Sequence, residues 1–303
     1  MEEIVLETKN LTKRYKNHTV LDNVSITLHK KHIYGFVGEN GAGKTTLIRI
    51  VTGLSLPDSG TYSILGKEDP ADREKMRKFV GSMIERPALY PNLSVLQNME
   101  LQRVLVGNPD RRASDKALEL MDLSECMTKA VKDLSTGIQQ RLGIAMTLLG
   151  NPKLLILDEP ANGLDPQHLS ALRKLLKKLC QEREVTVLLS SHILSELYQL
   201  ATDYILLHGG KVVEILSHEE LEAKCRNYVC VRTSDAAHAL TVIDRVLENP
   251  PYEVVADDTI HLYVDPEKME LISEAFVQSQ VVVKELYVKE QSLEDYFLSV
   301  TGR

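Results

Sequence analysis

The sequence has few cysteines, and their spacing points to neither a disulfide framework nor a metal site. Four cysteines occur in 303 residues, without a CxxC pair and without a histidine at the spacing of a zinc site. The first residues, MEEIVLETKN, lack the basic and then apolar pattern of a secretory signal. We therefore expect no structural zinc, and a chain that stays in the cytosol with reduced thiols.

Long apolar runs and a large excess of one charge are also missing. The longest apolar runs, such as 154–157 and 185–189, are far shorter than the roughly 18 residues needed to span a bilayer. We expect these runs to be buried strands of a parallel sheet, and the chain not to cross a membrane by itself. The formal net charge of −7 argues against a nucleic-acid backbone as the main partner.

What is present is an ordinary globular composition, with 43% hydrophobic and 26% charged residues. At roughly 150 residues per domain, the length predicts about two domains. Strand and helix patterns alternate through residues 1–218, which predicts a mainly parallel α/β sheet with antiparallel strands at its N-terminal end. The pattern between about 94 and 150 is mostly helical and predicts a helical subdomain within this first domain.

The remaining segment, 219–303, differs from the rest in pattern and charge. Its strand-like pieces, separated by helical ones, predict a small α+β accessory domain. It holds 17 acidic and 8 basic residues, a net charge of −9, against +2 for residues 1–218. This acidity is either a solvated surface that keeps the domain in solution or a docking face for a basic partner. The predicted strands are VCVRT at 229–233, IHLYV at 260–264 and VVVKELYV at 281–288.

The segment GENGAGKTT matches the phosphate-loop pattern G-x-x-x-x-G-K-[ST] between a predicted strand and a predicted helix. Glycines let successive backbone N–H groups approach phosphates, and the following helix presents its positive end to them. We expect Lys44 to contact the β and γ phosphates of a nucleotide and the Thr45 hydroxyl to bind Mg²⁺. The predicted phosphate-binding residues are Gly38, Glu39, Asn40, Gly41, Ala42, Gly43, Lys44, Thr45 and Thr46.

A second segment, LLILDEP, ends a buried strand in two carboxylates. The carboxyl edge of a parallel sheet is where ligands bind, so these acids are expected beside the phosphate loop. Asp158 would hold Mg²⁺ through water, and Glu159 would accept a proton from the water that attacks the γ-phosphate. The alternative, a solvated Asp-Glu pair at a strand end, applies mainly to the segment taken in isolation, away from the phosphate loop.

Two further features complete a set of motifs. The segment LSTGIQQR, residues 134–141, lies about twenty residues before the acidic strand, and His192 follows the apolar segment VTVLLSS. In this order, over residues 1 to about 218, the set resembles an ATP-binding-cassette (ABC) ATPase subunit. The resemblance implies a phosphate-loop NTPase fold, ATP and Mg²⁺ as cofactors, and catalysis by Glu159, His192 and Lys44.

The resemblance also implies roles for residues outside the phosphate loop. Tyr15 matches the aromatic residue that stacks on adenine, although an exposed turn tyrosine is an alternative. Ser135 and Gly137 match residues that touch the γ-phosphate bound by the opposite subunit, which implies a homodimer around two MgATP. Asp165 matches the loop that communicates across that interface, and His192 matches the histidine that contacts the γ-phosphate.

Three positions depart from the usual pattern of the family. The segment LSTGIQQR corresponds to the family's signature segment, and Thr136 and Ile138 replace residues that are usual there. A Cβ at position 136 would hinder close approach to the partner's phosphate. Glu85 stands where the family usually has Gln. Either its charge strengthens the attraction for Mg²⁺ and competes with Asp158, or Glu85 is only a loop carboxylate. Glu85 followed by RPALYPNLSVLQN resembles the bacitracin-resistance and lantibiotic-immunity exporters within the family.

These features favour the ATPase subunit of an exporter of drugs, antimicrobial peptides or lipid-like molecules. The resemblance implies that it drives transmembrane permease subunits on separate chains, and that it lies on the inner face of the cell membrane through them. The apolar patch of Pro87, Tyr90, Pro91 and Leu93 either receives a short permease helix or is packed against its own domain. The alternatives are a soluble ABC ATPase acting on ribosomes or nucleic acid, and a module that binds ATP but barely hydrolyses it.

Overall fold

The computed structural model describes residues 3–225, 227–289 and 293–301, and the chain divides into two compact units, Met1–His218 and Glu219–Arg303. Within these described residues, none of the helices combines the length and apolar character that crossing a bilayer requires. The units are described one at a time.

The described residues of the first unit, from residue 3 onward, form nine strands and seven helices. Its strands are β1 (Ile4–Tyr15), β2 (His18–His29), β3 (Ile33–Val37), β4 (Ser59–Ile64), β5 (Val80–Met83), β6 (Leu154–Asp158), β7 (Thr186–Ser191), β8 (Asp203–His208) and β9 (Lys211–Ser217). Its helices are α1 (Lys44–Val51), α2 (Pro70–Met76), α3 (Val95–Leu105), α4 (Ala113–Leu120), α5 (Thr136–Thr147), α6 (Pro166–Arg183) and α7 (Leu194–Tyr198). Short 3₁₀ turns lie at Arg77–Phe79, Ser124–Cys126, Val131–Asp133 and Leu148–Gly150.

The main sheet has the order β5-β6-β7-β3-β8-β9, with all neighbours parallel except the antiparallel pair β8 and β9. Every residue of β3, β6 and β7 is buried, as expected of strands covered on both faces. The register pairs Asp158 with Ser190 and Val37 with Ser191. The carboxyl ends of these three strands therefore meet at one edge, and the predicted α/β class is confirmed.

A second sheet, of order β2-β1-β4, is antiparallel throughout. This confirms the antiparallel strands expected at the N-terminal end. One hydrophobic core joins both sheets and α1, so the helix that follows the phosphate loop is held from two sides. Its members include Leu6, Leu28, Phe36, Leu47, Ile48 and Ile205.

The segment between β5 and β6 is helical, with α3, α4 and α5 as its main elements. Helix α3 begins with a reciprocal cap: Gln97 N–H donates to Ser94 Oγ at 3.1 Å, and Ser94 N–H donates to Gln97 Oε1 at 2.8 Å. Asn98 is buried on this helix and accepts a hydrogen bond from Tyr90 N–H at 2.8 Å. The helix therefore fixes the backbone of the loop that precedes it.

The second unit is a four-stranded antiparallel sheet with helices on one face. Its strand order is β11-β12-β10-β13, and α9 and α10 pack on the face that carries Val229, Val231, Ile260 and Leu262. The sequence predicts three of these strands. The fourth is β11, whose residues follow two prolines, are all exposed and show no alternation of buried and exposed positions. The elements are α8 (His218–Lys224), β10 (Tyr228–Thr233), α9 (Ala236–Leu247), β11 (Tyr252–Ala256), β12 (Thr259–Leu262), a 3₁₀ turn (Pro266–Lys268), α10 (Met269–Gln278), β13 (Val283–Lys289) and α11 (Leu293–Thr301).

Candidate functional site

The first turn of α1 meets the carboxyl end of β6. The hydroxyl of Thr45 donates a hydrogen bond to Oδ2 of Asp158 at 2.8 Å. Asp158 is fully buried, and a buried carboxylate requires such partners. Two of the three residues predicted to bind Mg²⁺, Thr45 and Asp158, are therefore adjacent.

The loop before α1 depends on Gly43, which has φ of 110° at the N-terminal boundary of the helix. A Cβ at this position would lie 2.7 Å from both Leu21 Cδ2 and Val20 O. Glycine thus satisfies both the left-handed backbone and the close approach to β2. The first N–H groups of α1 remain free of side-chain caps, which leaves them available to an anion.

Lys44 is buried beneath the loop. Its Nζ donates to Gly38 O at 2.5 Å and to Glu39 O at 3.3 Å, and lies 3.8 Å from Glu159 Oε1. Burial lowers the pKa of Lys44, while the charges of Glu159 and Asp158 act in the opposite direction. A bound phosphate would place further negative charge beside this ammonium group.

Glu159 follows β6 in a left-handed backbone conformation, with φ of 50°. This conformation is unfavourable for a residue with a Cβ, and the surrounding contacts maintain it. Its backbone N–H donates to Ser190 Oγ at 2.9 Å, and its Oε2 lies 3.0 Å from His192 Nδ1. The Glu159 carboxylate, predicted to act as the base, is therefore held between Lys44 and His192.

Ser190 is a functional residue that sequence reasoning did not identify. It lies beside Asp158 in the register of β6 and β7, and its hydroxyl donates to Oδ1 of that carboxylate. Because the same hydroxyl also accepts from Glu159 N–H, one side chain positions both acids. The signal in the sequence is the pair of serines that ends the strand before His192, but only the register assigns a partner to one of them.

A cavity of about 290 Å³ opens between these groups. A second cavity, of about 210 Å³, is lined by residues that include Ala42, His18 and His208. The two cavities adjoin along the phosphate loop, because both linings include Glu39, Asn40 and Gly41. The lining of the first cavity is Val20, Glu39, Asn40, Gly41, Gly43, Lys44, Thr45, Thr46, Glu85, Asp158 and Glu159.

Two predicted ligands lie at the margins of this region. Tyr15 is exposed at the end of β1 and pairs across the hairpin with His18, which lines the second cavity. Glu85 has φ of 57°, and its Oε1 lies 2.9 Å from Arg49 Nη2, on the last turn of α1. The Glu85 carboxylate thus reaches the cavity edge with its charge already paired.

The remaining predicted residues form a separate group at the starts of α5 and α6. Ser135 caps α5 by accepting from Ile138 N–H at 3.4 Å, and Asp165 caps α6 by accepting from His168 N–H at 2.9 Å. Both capping residues are exposed. A Cβ on Gly137 would lie 2.8 Å from Gly163 O, so the start of α5, the signature helix, packs directly on the loop before α6. This group adjoins the acidic strand through Gln140 and Pro160, but it lies outside both cavity linings.

A larger cavity, of about 550 Å³, lies away from the phosphate loop, between the β5 region and helices α3 and α5. Its lining combines basic and apolar side chains, including Arg77, Lys78, Arg86, Leu54, Leu105 and Val106. Of the predicted apolar patch, Pro87 packs against α5 at Gly143, whereas Tyr90 is exposed. The patch is thus partly buried in its own domain and partly accessible.

Comparison with known proteins agrees with the family resemblance found in the sequence. The sequence model of the ABC transporter family matches residues 21–162. The chain is 37% identical to the bacitracin transport ATP-binding protein BcrA of Bacillus licheniformis, over 98% of this chain and 97% of that protein. It is 39% identical to the lantibiotic transport ATP-binding protein SrtF of Streptococcus pyogenes, over 74% of this chain and 97% of that protein.

The fold is also similar to that of solved ATP-binding cassettes. One is described as the dimeric post-hydrolysis state of the cassette MJ0796 bound to ADP and Pi. It matches with a TM-score of 0.66 and 26% identity, over 71% of this chain and 99% of that one. Both this match and that to SrtF span a length close to that of the first compact unit.

Proposed function

The chain belongs to the ABC transporter family of ATP-binding proteins, and from that premise we propose that it powers an exporter by hydrolysing ATP. The relatives named for bacitracin and lantibiotic transport support a drug or antimicrobial peptide as cargo. The observation that carries the proposal is one cluster at the edge of one sheet. It consists of Lys44, Thr45, Asp158, Glu159 and His192.

The donor set at the edge of the sheet suits Mg²⁺. Thr45 and Asp158 present a hydroxyl and a carboxylate oxygen 2.8 Å apart, and Mg²⁺ prefers hard oxygen donors with few protein ligands. The described residues contain no group of three or more His, Cys, Asp or Glu side chains able to hold a metal. Phosphate oxygens and water would complete the coordination, and the bound ion would neutralise charge on the β and γ phosphates.

The protein groups divide the remaining work of hydrolysis. Lys44 adds positive charge on the phosphates. Glu159 accepts a proton from the attacking water at its carboxylate while the bond from the γ-phosphorus to the bridging oxygen breaks, giving ADP and phosphate. His192 Nδ1, 3.0 Å from that carboxylate, orients it and would contact the γ-phosphate.

Two copies of the chain would complete each site. Ser135 and Asp165 are exposed and lie outside both cavity linings, which suits residues that act on the nucleotide of a partner subunit. The dimeric cassette of similar fold supports this arrangement. We propose a homodimer around two MgATP, with Ser135 and Gly137 facing the partner's γ-phosphate and Tyr15 stacking on adenine in its own subunit.

Membrane attachment would come from permease subunits on separate chains. The cavity of about 550 Å³ is lined by apolar side chains together with basic ones, including Arg77 and Arg86, and would receive a short permease segment. A role on ribosomes or nucleic acid is not favoured, because the relatives include proteins named for bacitracin and lantibiotic transport and the chain has a net charge of −7.

Purification from native membranes tests the proposal. The chain, isolated in mild detergent, should bring with it a multi-spanning membrane protein, and that complex should hydrolyse ATP faster than the chain alone. The charge-reversed variant Arg86→Glu should no longer copurify with the membrane protein. Lys116→Glu, on the exposed face of α4, should still do so. Copurification of ribosomal proteins or nucleic acid in place of a membrane protein would refute the proposal.

A further inference from the structure

The two edges of the four-stranded sheet in the second unit differ in chemistry. Strand β13 exposes three charged side chains, Lys284, Glu285 and Lys289. Strand β11, on the opposite edge, reads Tyr-Glu-Val-Val-Ala, and all five residues are exposed. Charged side chains on an edge strand discourage pairing with another strand, and β11 has only Glu253 for this purpose. The edge formed by β11 is therefore the one suited to accept a further strand.

The backbone of β11 offers hydrogen-bonding groups to such a strand. Pro251 O accepts from Tyr263 N–H at 3.0 Å, so Pro251 faces β12. Because backbone direction alternates along an antiparallel strand, Tyr252 and Val254 turn their N–H and C=O groups out of the sheet. The side chains of Tyr252 and Val254 are 44% and 49% exposed, so an added strand would also bury apolar surface.

We propose that β11 pairs with β11 of a second copy of this chain, antiparallel across a twofold axis. Two four-stranded sheets then become one sheet of eight strands. A twofold contact uses the same strand on both sides, so one accessible edge per copy is sufficient. This pairing does not require ATP, and it is independent of the cassette contact proposed above.

The Glu253 carboxylate favours one register for pairing with β11 of a second copy. With the axis at Val254, Glu253 lies opposite Val255 of the partner subunit, and the carboxylates of the two copies do not face each other. With the axis at Glu253 they would, which is unfavourable. A strand of another protein would need its own match to this short, nearly uncharged edge. A second copy supplies that match, because a twofold axis places the same five residues on both sides of the contact.

The contact is small. The register of β11 against β12 shifts between Val254 and Ala256, so the regular part of the edge is short. Such a contact buries less surface than a stable dimer interface and should be weak and concentration-dependent in the free chain. It strengthens when other contacts hold two copies together, because the second contact is then intramolecular.

Sedimentation of the full chain without nucleotide tests the pairing. From about 1 μM to about 200 μM, wild type should change from monomer to dimer, and Val254→Lys should raise the dissociation constant by at least about tenfold. The matched control is Val277→Lys, which adds the same charge on the exposed face of α10, away from the β11 edge. It should leave the dissociation constant unchanged. Circular dichroism should confirm that both variants are folded.

Crosslinking tests the register. Under mild oxidation Val254→Cys should give a covalent dimer, and Val277→Cys should not. Three results would overturn the proposal: a wild type that stays monomeric, a Val254→Lys variant that dimerises like wild type, or equal weakening by both lysine variants. Loss of ATP-driven pairing alone would contradict the cassette dimer and leave this contact standing.

Discussion

The Nδ1 atom of His192 lies 3.0 Å from Oε2 of Glu159, while Lys44 Nζ approaches the other oxygen of the same carboxylate at 3.8 Å. The acid at the end of β6 is thus held from two sides, although its backbone conformation is unfavourable. A carboxylate that is already oriented can accept a proton from water without first losing side-chain conformational freedom.

Glu159→Gln should retain ATP binding and trap an ATP-bound dimer, because the amide keeps the shape of the side chain but cannot accept the proton. Hydrolysis should fall by about 10²–10⁴-fold, the usual contribution of a general base. Steady-state phosphate release and size-exclusion chromatography with ATP measure the two effects. Glu182→Gln, on the exposed side of α6, is the control. Wild-type turnover in the Glu159 variant would show that another group is the base.

Thr45→Val should weaken Mg²⁺-dependent nucleotide binding while binding without metal changes little. The substitution keeps the side-chain volume but removes the hydroxyl, and with it the 2.8 Å hydrogen bond to Asp158. Loss of groups that ligate or orient a metal costs about 10–100-fold in affinity.

A titration of Mg²⁺ against bound fluorescent ADP measures this change separately from hydrolysis. Thr52→Val, at the far end of α1, is a matched control because its hydroxyl bonds only to backbone carbonyls of its own helix. Equal Mg²⁺ dependence in both variants would remove Thr45 from the metal site.

The phosphate loop could be predicted from the sequence because its geometry is local. Glycines, a lysine and a threonine within nine residues, between a strand and a helix, determine where the N–H groups point. The placement of Asp158 beside this loop also follows from one rule, that carboxyl ends of parallel strands share an edge.

The contacts that depend on distant parts of the chain could not be predicted. Ser190 reaches Asp158 only because of the register of β6 against β7. The pairing of Glu85 with Arg49 brings a loop onto the last turn of α1, and no sequence spacing encodes it. Strand β11 escaped prediction because both its faces are exposed, so hydrophobic alternation is missing.

Gly137→Ala should destabilise the first unit, although alanine is the better helix former by about 1 kcal/mol. The added Cβ would lie 2.8 Å from Gly163 O, a backbone atom that cannot swing aside. Overpacking of this kind costs about 1–3 kcal/mol and would displace the start of α5 from the loop before α6.

Chemical denaturation and ATP-driven dimerisation should both register the change. Gly150→Ala is the matched control, because its nearest neighbour would be Lys78 O at 3.4 Å, an ordinary contact. If the two alanine variants are equally stable, the close approach of Gly137 to Gly163 does not constrain the signature helix.

Glu184 should make the stability of the first unit depend on acid pH. It ends α6 and pairs with Lys30 at 2.7 Å and Lys31 at 2.6 Å, and hydrogen bonds from these two lysines lower the pKa of its carboxyl to about 2. The unfolded chain binds this proton at the ordinary value of 4.5 and the folded chain only near 2. The stabilisation is therefore complete above pH 4.5 and is lost as pH falls toward 2.

Glu184→Gln removes the titrating group, so its free energy of unfolding should fall less steeply than that of wild type between pH 5 and pH 2. Because the pairs are exposed, added salt should reduce the difference at neutral pH. Urea denaturation at each pH gives the two curves, with Glu182→Gln, two residues earlier in α6, as the control. Parallel curves for wild type and Glu184→Gln would mean that the lysine pairs add nothing to the stability of the folded state.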